Sequence, residues 1–275
     1  MVTCFICNEL NSNTTIPYND TGWTDWEIFK ELQISHCSSC GFSSSIPELE
    51  TEVVNNFYGT KYRSKDSTFH IDFQRLRNFE GVGDVRDNRS FSQLSLARAF
   101  LDEFNEDDIF LDIGAGNGDS FGVAKTLFRN PKLHSIELYE GAKHYYRKSY
   151  NADSHDSLND FISKHLKAKI LLMSHSLEHY RLSDLPELFS SISLALANNG
   201  IAVIEVPNVD LRIHTENRGV DTPHFLFFSK YSLARLCKKY SFEILFIDTC
   251  GVNREISNGF SKGFQPRAGA ERRNQ

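Results

Sequence analysis

Residues 109–118, IFLDIGAGNG, constrain the fold more than any other stretch of the chain. A strand-sized apolar run ends at an acid, Asp112, and passes directly into a loop with glycine at 114, 116 and 118. Glycines there let the backbone approach a ligand with no Cβ in the way. Around this junction two periodicities alternate. Leu94, Ala97, Leu101 and Phe104 recur at helical spacing before it, and Val123, Ala124, Leu127 and Phe128 after it. LHSIE (133–137) reads as a strand, 140–150 as a helix and ILLMS (170–174) as another strand. Leu185, Leu188, Phe189, Ile192 and Leu196 form an amphipathic helix that Asn198-Asn199-Gly200 should stop. IAVIEV (201–206), a helix carrying Leu233, Leu236 and Cys237, and a last strand FEILFID (242–248) complete the series. Strands alternating with helices of roughly 10–15 residues predict an α/β fold with a doubly wound, mostly parallel sheet.

The N-terminal sixty residues have a different character. Cys4-x-x-Cys7 and Cys37-x-x-Cys40 are two knuckles of soft ligands, and Gly41 permits the turn after the second. Four thiolates suit a closed, tetrahedral, structural zinc site with no position left for catalysis. The 29 residues between the pairs are tolerable because closure entropy grows slowly with loop length. His36 is an alternative ligand beside Cys37, and a redox-active pair would want a βα context that this segment lacks. Cys237 and Cys250, in apolar surroundings, read as plain buried thiols. The expected organisation is a zinc-binding lobe at 1–62, a charged connector or flap at 63–90, the α/β domain at 91–252 and a polar tail at 253–275. The tail either supplies a short strand near 256–264 or is disordered.

Composition narrows the function classes. Hydrophobic residues at 40% and charged residues at 24% can build a core, which excludes global disorder. No apolar run reaches the roughly 18 residues of a membrane span, and MVTCFICNEL lacks the pattern of a secretory leader. The expectation is a soluble, cytoplasmic protein. A net charge of −6 is the wrong sign for a general nucleic-acid binder.

The Gly loop departs from a dinucleotide fingerprint, because G-x-G-x-x-G requires glycine where Asp119 stands. With an acid two residues before its first glycine, it resembles the nucleoside-binding loop of class I S-adenosylmethionine-dependent methyltransferases, a Rossmann-like family. The resemblance implies that Asp112, Gly114, Ala115, Gly116, Asn117 and Gly118 wrap the amino-acid part of the cofactor. It implies that Glu137, with Leu138 beside it, grips the ribose hydroxyls; Glu140 is its competitor. Asp156 and Ser157 fall where the family contacts adenine. SHSLEHY (Ser174–Tyr180) and EVPN (Glu205–Asn208) resemble segments of one branch of the family, in which Ser174 and His175 would line the sulfonium end and the substrate mouth. His175, Glu178 and His179 read either as a metal cluster or as hydrogen-bond partners of one another. DTPHFLFFSKYSLARL (221–236) resembles the segment that covers the acceptor, with Ser229 as helix N-cap. His224, among aromatic rings that would exclude water and favour its neutral form, is the candidate general base, or a core histidine; His179 and His175 compete for the catalytic role.

Together with the cysteine knuckles and FYGTKY (57–62), the chain resembles bacterial class I methyltransferases with an N-terminal zinc-binding domain, found among sugar- and secondary-metabolite-modifying enzymes. The resemblance covers 1–62 and 105–250. The sugar C-methyltransferases of that group carry Tyr and a second His before the position of His224, where this chain has Asp221, Thr222 and Pro223. The implied activity is methyl transfer from S-adenosylmethionine to a small biosynthetic acceptor, a hydroxyl or carbon of a sugar or nucleotide-sugar. The rivals are a non-catalytic cofactor-binding adapter that uses the zinc lobe for a partner, and an RNA methyltransferase, which the acidic charge disfavours.

Overall fold

The computed structural model describes residues 2–11, 14–18, 27–63, 85–209 and 223–249. Its contacts divide the chain into Met1–Leu245 and Phe246–Gln275, and only 246–249 of the second unit fall among the described residues. At the N-terminus, β1 (Val2–Thr3) and β2 (Leu10–Asn11) pair antiparallel around the Cys4–Cys7 turn. The strands β3 (Thr14–Pro17), β4 (Gln33–His36) and β5 (Ser43–Ile46) then form an antiparallel meander. Helix α1 (Thr51–Asn56) runs into a π-helical turn, Phe57–Lys61.

The larger sheet follows α2 (Val85–Phe100). In order come β6 (Ile109–Ile113), α3 (Asp119–Leu127), β7 (Lys132–Ile136), α4 (Glu140–Tyr150), β8 (Asp153–His155), α5 (Leu158–Ser163) and β9 (Ala168–Ser174). Two 3-10 turns, Leu177–His179 and Leu182–Asp184, lead to α6 (Leu185–Ala195) and β10 (Leu196–Glu205). The five strands are parallel in the order β10-β9-β6-β7-β8. Central β6 is buried at all five positions, as a strand covered on both faces must be. Its side chains alternate between two apolar layers. Phe110 joins Ile170 and Leu172 of β9 on one face, while Leu111 and Ile113 join Leu171 and Met173 on the other.

The second of those layers continues without a break into the N-terminal lobe, through Phe29, Phe57 and Phe225 to Phe228. One reason is β11 (Leu226–Phe227), which adds to the lobe's sheet antiparallel to β5 and gives the order β11-β5-β4-β3. Ser229 then caps α7 (Lys230–Lys239) in a reciprocal capping box with Ser232.

Three expectations are corrected. Leu101 and Phe104 lie beyond the end of α2, although both pack on its core. Asn198-Asn199-Gly200 does not stop α6. The helix ends at Ala195, and Leu196 already pairs with Ala168; the turn residues sit in a register shift inside β10, with Asn199 at φ 56°. FEILFID forms no strand: 242–249 carry no regular element, and Leu245 and Phe246 are exposed. A strand needs a partner for its backbone groups, and the polar residues that follow offer scarcely a strand's worth of apolar positions. The readings at 64–84, Asp221, Thr222, Cys250 and the 253–275 tail lie outside the described residues. Among the described residues no helix is long and apolar enough to cross a membrane.

Candidate active site

The strand order reverses on either side of β6, with β7 on one flank and β9 on the other. In a doubly wound sheet the crevice at the carboxyl ends of such strands is where ligands bind. IFLDIGAGNG delivers its loop there. Gly114 has φ 77°, and a Cβ on it would meet the Ser176 Cβ at 2.9 Å, so any other residue there is strained and forces a shift. The loop is held by Gly114 N donating to Ile136 O (2.9 Å), by Gly118 N donating to Ala115 O (2.8 Å) and by the Tyr146 hydroxyl donating to Gly116 O (2.6 Å). Asn117 and Gly118 close the turn into α3.

Asp112, at the end of β6, is 3% exposed. The Ser120 hydroxyl donates to its Oδ2, while Oδ1 has no hydrogen-bond partner among the described residues. Burial pushes its carboxyl up to about 7, with the Ser120 bond opposing. Glu137 follows β7 directly. Its Oε1 accepts from the backbone of Leu138 and Tyr139 at 2.9 and 3.1 Å, and its Oε2 lies 3.3 Å from the Tyr146 hydroxyl. Glu140, Glu137's competitor, is instead tied to Lys143. Asp156 is exposed and paired with the same Lys143, and Ser157 caps α5 by accepting from Asp160 N.

Beside the Gly loop, β9 and β10 deliver a second cluster. Ser174 Oγ accepts from Gln93 Nε2 at 2.8 Å, and that amide also reaches Glu205 Oε2 at 2.9 Å. His175, at φ 52°, is clamped between Glu178 Oε1 (3.3 Å) and Glu205 Oε1 (3.2 Å). Burial alone would lower its pKa, but the two carboxylates raise it to about 9. Glu178 is 1% exposed, and His224 Nε2 stands 3.9 Å from its Oε1. The His179 and His224 rings meet edge to face at 5.0 Å. Burial drops His179 to about 4, with Glu178 opposing, so it is neutral. Its Nδ1 lies 2.8 Å from the Tyr58 hydroxyl and 3.1 Å from Pro223 O. Glu178, His179 and His224 each bring one ligand atom within 4.8 Å of the others, so the geometry leaves the metal reading open for these three. His175 is the counter-ion of Glu178.

A separate group, of four ligand atoms, is the cysteine knuckle. The sulfurs of Cys4, Cys7, Cys37 and Cys40 lie within 4.8 Å of one another. A hydrogen bond from Cys40 pulls the Cys4 thiol down to about 5 against the opposing effect of burial. His36 turns away, its Nδ1 2.9 Å from Ser43 Oγ. Cys237 is partly buried, and burial pushes its thiol up to about 11, as expected of an inert side chain. Ser229 Oγ donates to Cys40 O at 2.9 Å, joining the α7 cap to the knuckle.

Sequence reasoning missed several members of the site. Gln93 and Glu205 frame Ser174 and His175, and Tyr58 and Arg63 arrive from the N-terminal lobe. Of these, Glu205 fell in EVPN and Tyr58 in FYGTKY, strings that stood out beforehand without a role for either residue.

A family model described as a methyltransferase domain matches residues 86–246, more than half of the chain. Comparison with curated proteins finds no match. Among solved structures, the cyclopropane synthase MmaA2 from Mycobacterium tuberculosis aligns with TM-score 0.51 at 13% identity, covering 73% of this chain and 78% of that one. A SAM-dependent methyltransferase from Archaeoglobus fulgidus aligns with TM-score 0.42 at 18% identity, over 68% of this chain and 89% of that one. Streptomyces venezuelae DesVI aligns with TM-score 0.41 at 19% identity, over 50% of this chain and 59% of its own length. The chain belongs to the methyltransferase-domain family, with the Rossmann-like architecture of its class I members.

Proposed function

We propose that the chain transfers a methyl group from S-adenosylmethionine to an oxygen or carbon of a small biosynthetic acceptor of the sugar or nucleotide-sugar class. The observation that carries the cofactor reading is the crevice at β6: a glycine cradle that a Cβ would fill at Gly114, and a buried Asp112 with one oxygen lacking a donor among the described residues. Glu137 completes it as an acceptor for a cis-diol. When bound, S-adenosylmethionine supplies a methyl carbon already activated by its sulfonium. The chain's own task is then orientation, because a positioned pair reacts as a unimolecular system. The Gly loop and Glu137 hold one partner, while the wall of His179, His224 and Tyr58 receives the other and excludes water.

A hydroxyl acceptor must lose its proton during attack, which is the work of a nearby base. His175, cationic at neutral pH, is a poor candidate; it serves as counter-ion between Glu178 and Glu205. His224 is assigned the base, with neutral His179 beside it held in place by Tyr58 and Pro223. The cysteine knuckle is assigned one structural zinc. The acceptor class rests on the sequence resemblance. Calorimetry tests the cofactor reading: one S-adenosylmethionine site per chain, in the micromolar range, weakened strongly by Gly114→Val or Glu137→Ala. Tight binding of a nicotinamide dinucleotide with no response to S-adenosylmethionine would overturn it. A methyl-transfer screen over nucleotide-sugars tests the acceptor.

A further inference from the structure

We propose that Arg63 is the anchor for the cofactor's free carboxylate, so that the N-terminal lobe supplies one wall of the cofactor site. The inference rests on the proposed use of S-adenosylmethionine and adds a residue that no motif marks.

Phe57, 2% exposed, roots the π-helical turn in the lobe's core, meeting the Phe29 ring edge to face at 5.5 Å. Tyr62 N donates to Phe57 O at 2.9 Å, the wide hydrogen bond of a π-turn, which re-aims the residues that follow. Tyr58 ties the turn to Pro223 O at 2.5 Å and to His179, and Tyr62 packs against both Tyr58 (5.3 Å) and His179 (5.9 Å). Arg63 lies over the Tyr62 ring, its guanidinium carbon 4.6 Å from the centroid. Its Nη2 then stands 3.6 Å from the point where a Gly116 Cβ would sit. The guanidinium therefore faces the middle of the loop whose backbone Tyr146 pins at Gly116 O.

Charge decides what such a group meets there. Among the described residues, Asp112 at the mouth of the loop has two further acids acting on it, Asp119 and Glu137. S-adenosylmethionine carries two cationic centres, ammonium and sulfonium, and one anion, the carboxylate. Acids suit the first two. The carboxylate needs a donor of opposite sign, and a planar guanidinium matches it with two parallel hydrogen bonds.

Two ligands separate this role from general support. S-adenosylhomocysteine carries the amino-acid tail; methylthioadenosine shares its nucleoside and thioether but has no carboxylate. Calorimetry on the full chain should show Arg63→Met weakening S-adenosylhomocysteine by roughly tenfold to a hundredfold, the usual worth of a charge-assisted pair. Methylthioadenosine should change less than about twofold, and Arg63→Lys should fall between. Unaltered S-adenosylhomocysteine affinity in Arg63→Met would overturn the assignment. So would equal losses of both ligands in Arg63→Met and Arg63→Lys, the mark of a merely structural arginine. Failure of the wild-type chain to bind either ligand would instead refute the cofactor reading itself.

Discussion

Acid should loosen this protein through a pair of histidines that the active site does not use. His134 on β7 and His155 on β8 stack at 5.3 Å, with His134 Nδ1 3.0 Å from His155 Nε2. Asp160 and Lys164 face the far side of His155, at 3.2 Å each, and Phe161 packs edge-on to both rings. Burial, reinforced by the neighbouring His155, lowers His134 from 6.5 to about 4. Its folded pKa is depressed, so the unfolded chain takes up a proton between pH 6.5 and about 4 that the folded chain refuses. The stabilisation from the neutral ring is complete above pH 6.5 and is lost as pH falls through that window. At 1.36 kcal/mol per tenfold it amounts to about 2 kcal/mol by pH 5 and about 3 kcal/mol by pH 4. Asp112 works in the opposite sense. Raised to about 7, it favours the folded state at low pH and loses that contribution as pH rises from 3.8, so the raw profile is a sum. The comparison isolates His134: urea midpoints of wild type and His134→Gln, followed by circular dichroism at pH 7, 6 and 5. The variant should be less stable at pH 7, and the gap should narrow by about 2 kcal/mol at pH 5. A gap that stays constant with pH would refute the argument.

Elemental analysis should find one zinc per chain, absent in Cys37→Ser and retained in His224→Ala; two equivalents, one lost with His224, would place a second metal at Glu178. Loss of zinc in Cys37→Ser should also lower the thermal midpoint, since site formation and local folding are coupled. Gly114→Ala combines left-handed strain of about 1–2 kcal/mol with overpacking of about 1–3 kcal/mol against Ser176. A thermal midpoint within a degree of wild type would show that the loop yields. His224→Ala should keep cofactor affinity while cutting turnover by roughly 10²–10⁴-fold, with His179→Ala milder; unchanged turnover in His224→Ala removes it as base.

What could be read in advance was local. Asp112, the Gly loop and Glu137 lie within one βαβ unit, where spacing along the chain is spacing in space. Four of the five parallel strands announced themselves by an apolar run, whereas β8 reads DSH and has none. Other features depended on partners far away in sequence. β11 is two residues long, and its pairing with β5 spans about 180 positions, so no periodicity could reveal it. FEILFID has a strand's composition without a strand's partner. Tyr58 and Arg63 acquire their roles only because a π-turn re-aims them across to His179 and Gly116. The Asn-Asn-Gly at 198–200 shows the converse, a strong local stop signal overridden when Leu196 found Ala168 across the sheet.

The pairing of β11 with β5 also orders events in time. The knuckle and strands β3 to β5 emerge before β11 during synthesis, so the lobe's sheet keeps an open edge until Leu226 and Phe227 arrive. Ser229 then adds its hydrogen bond to Cys40 O. Contacts of such long sequence separation close late, because the loop entropy comes before the reward. The nascent lobe therefore presents β5 as a free edge, open to pairing with another chain. Released as a fragment, residues 1–62 should self-associate, and supplying 223–240 as a separate peptide should suppress it. The lobe is made before the strand that completes it.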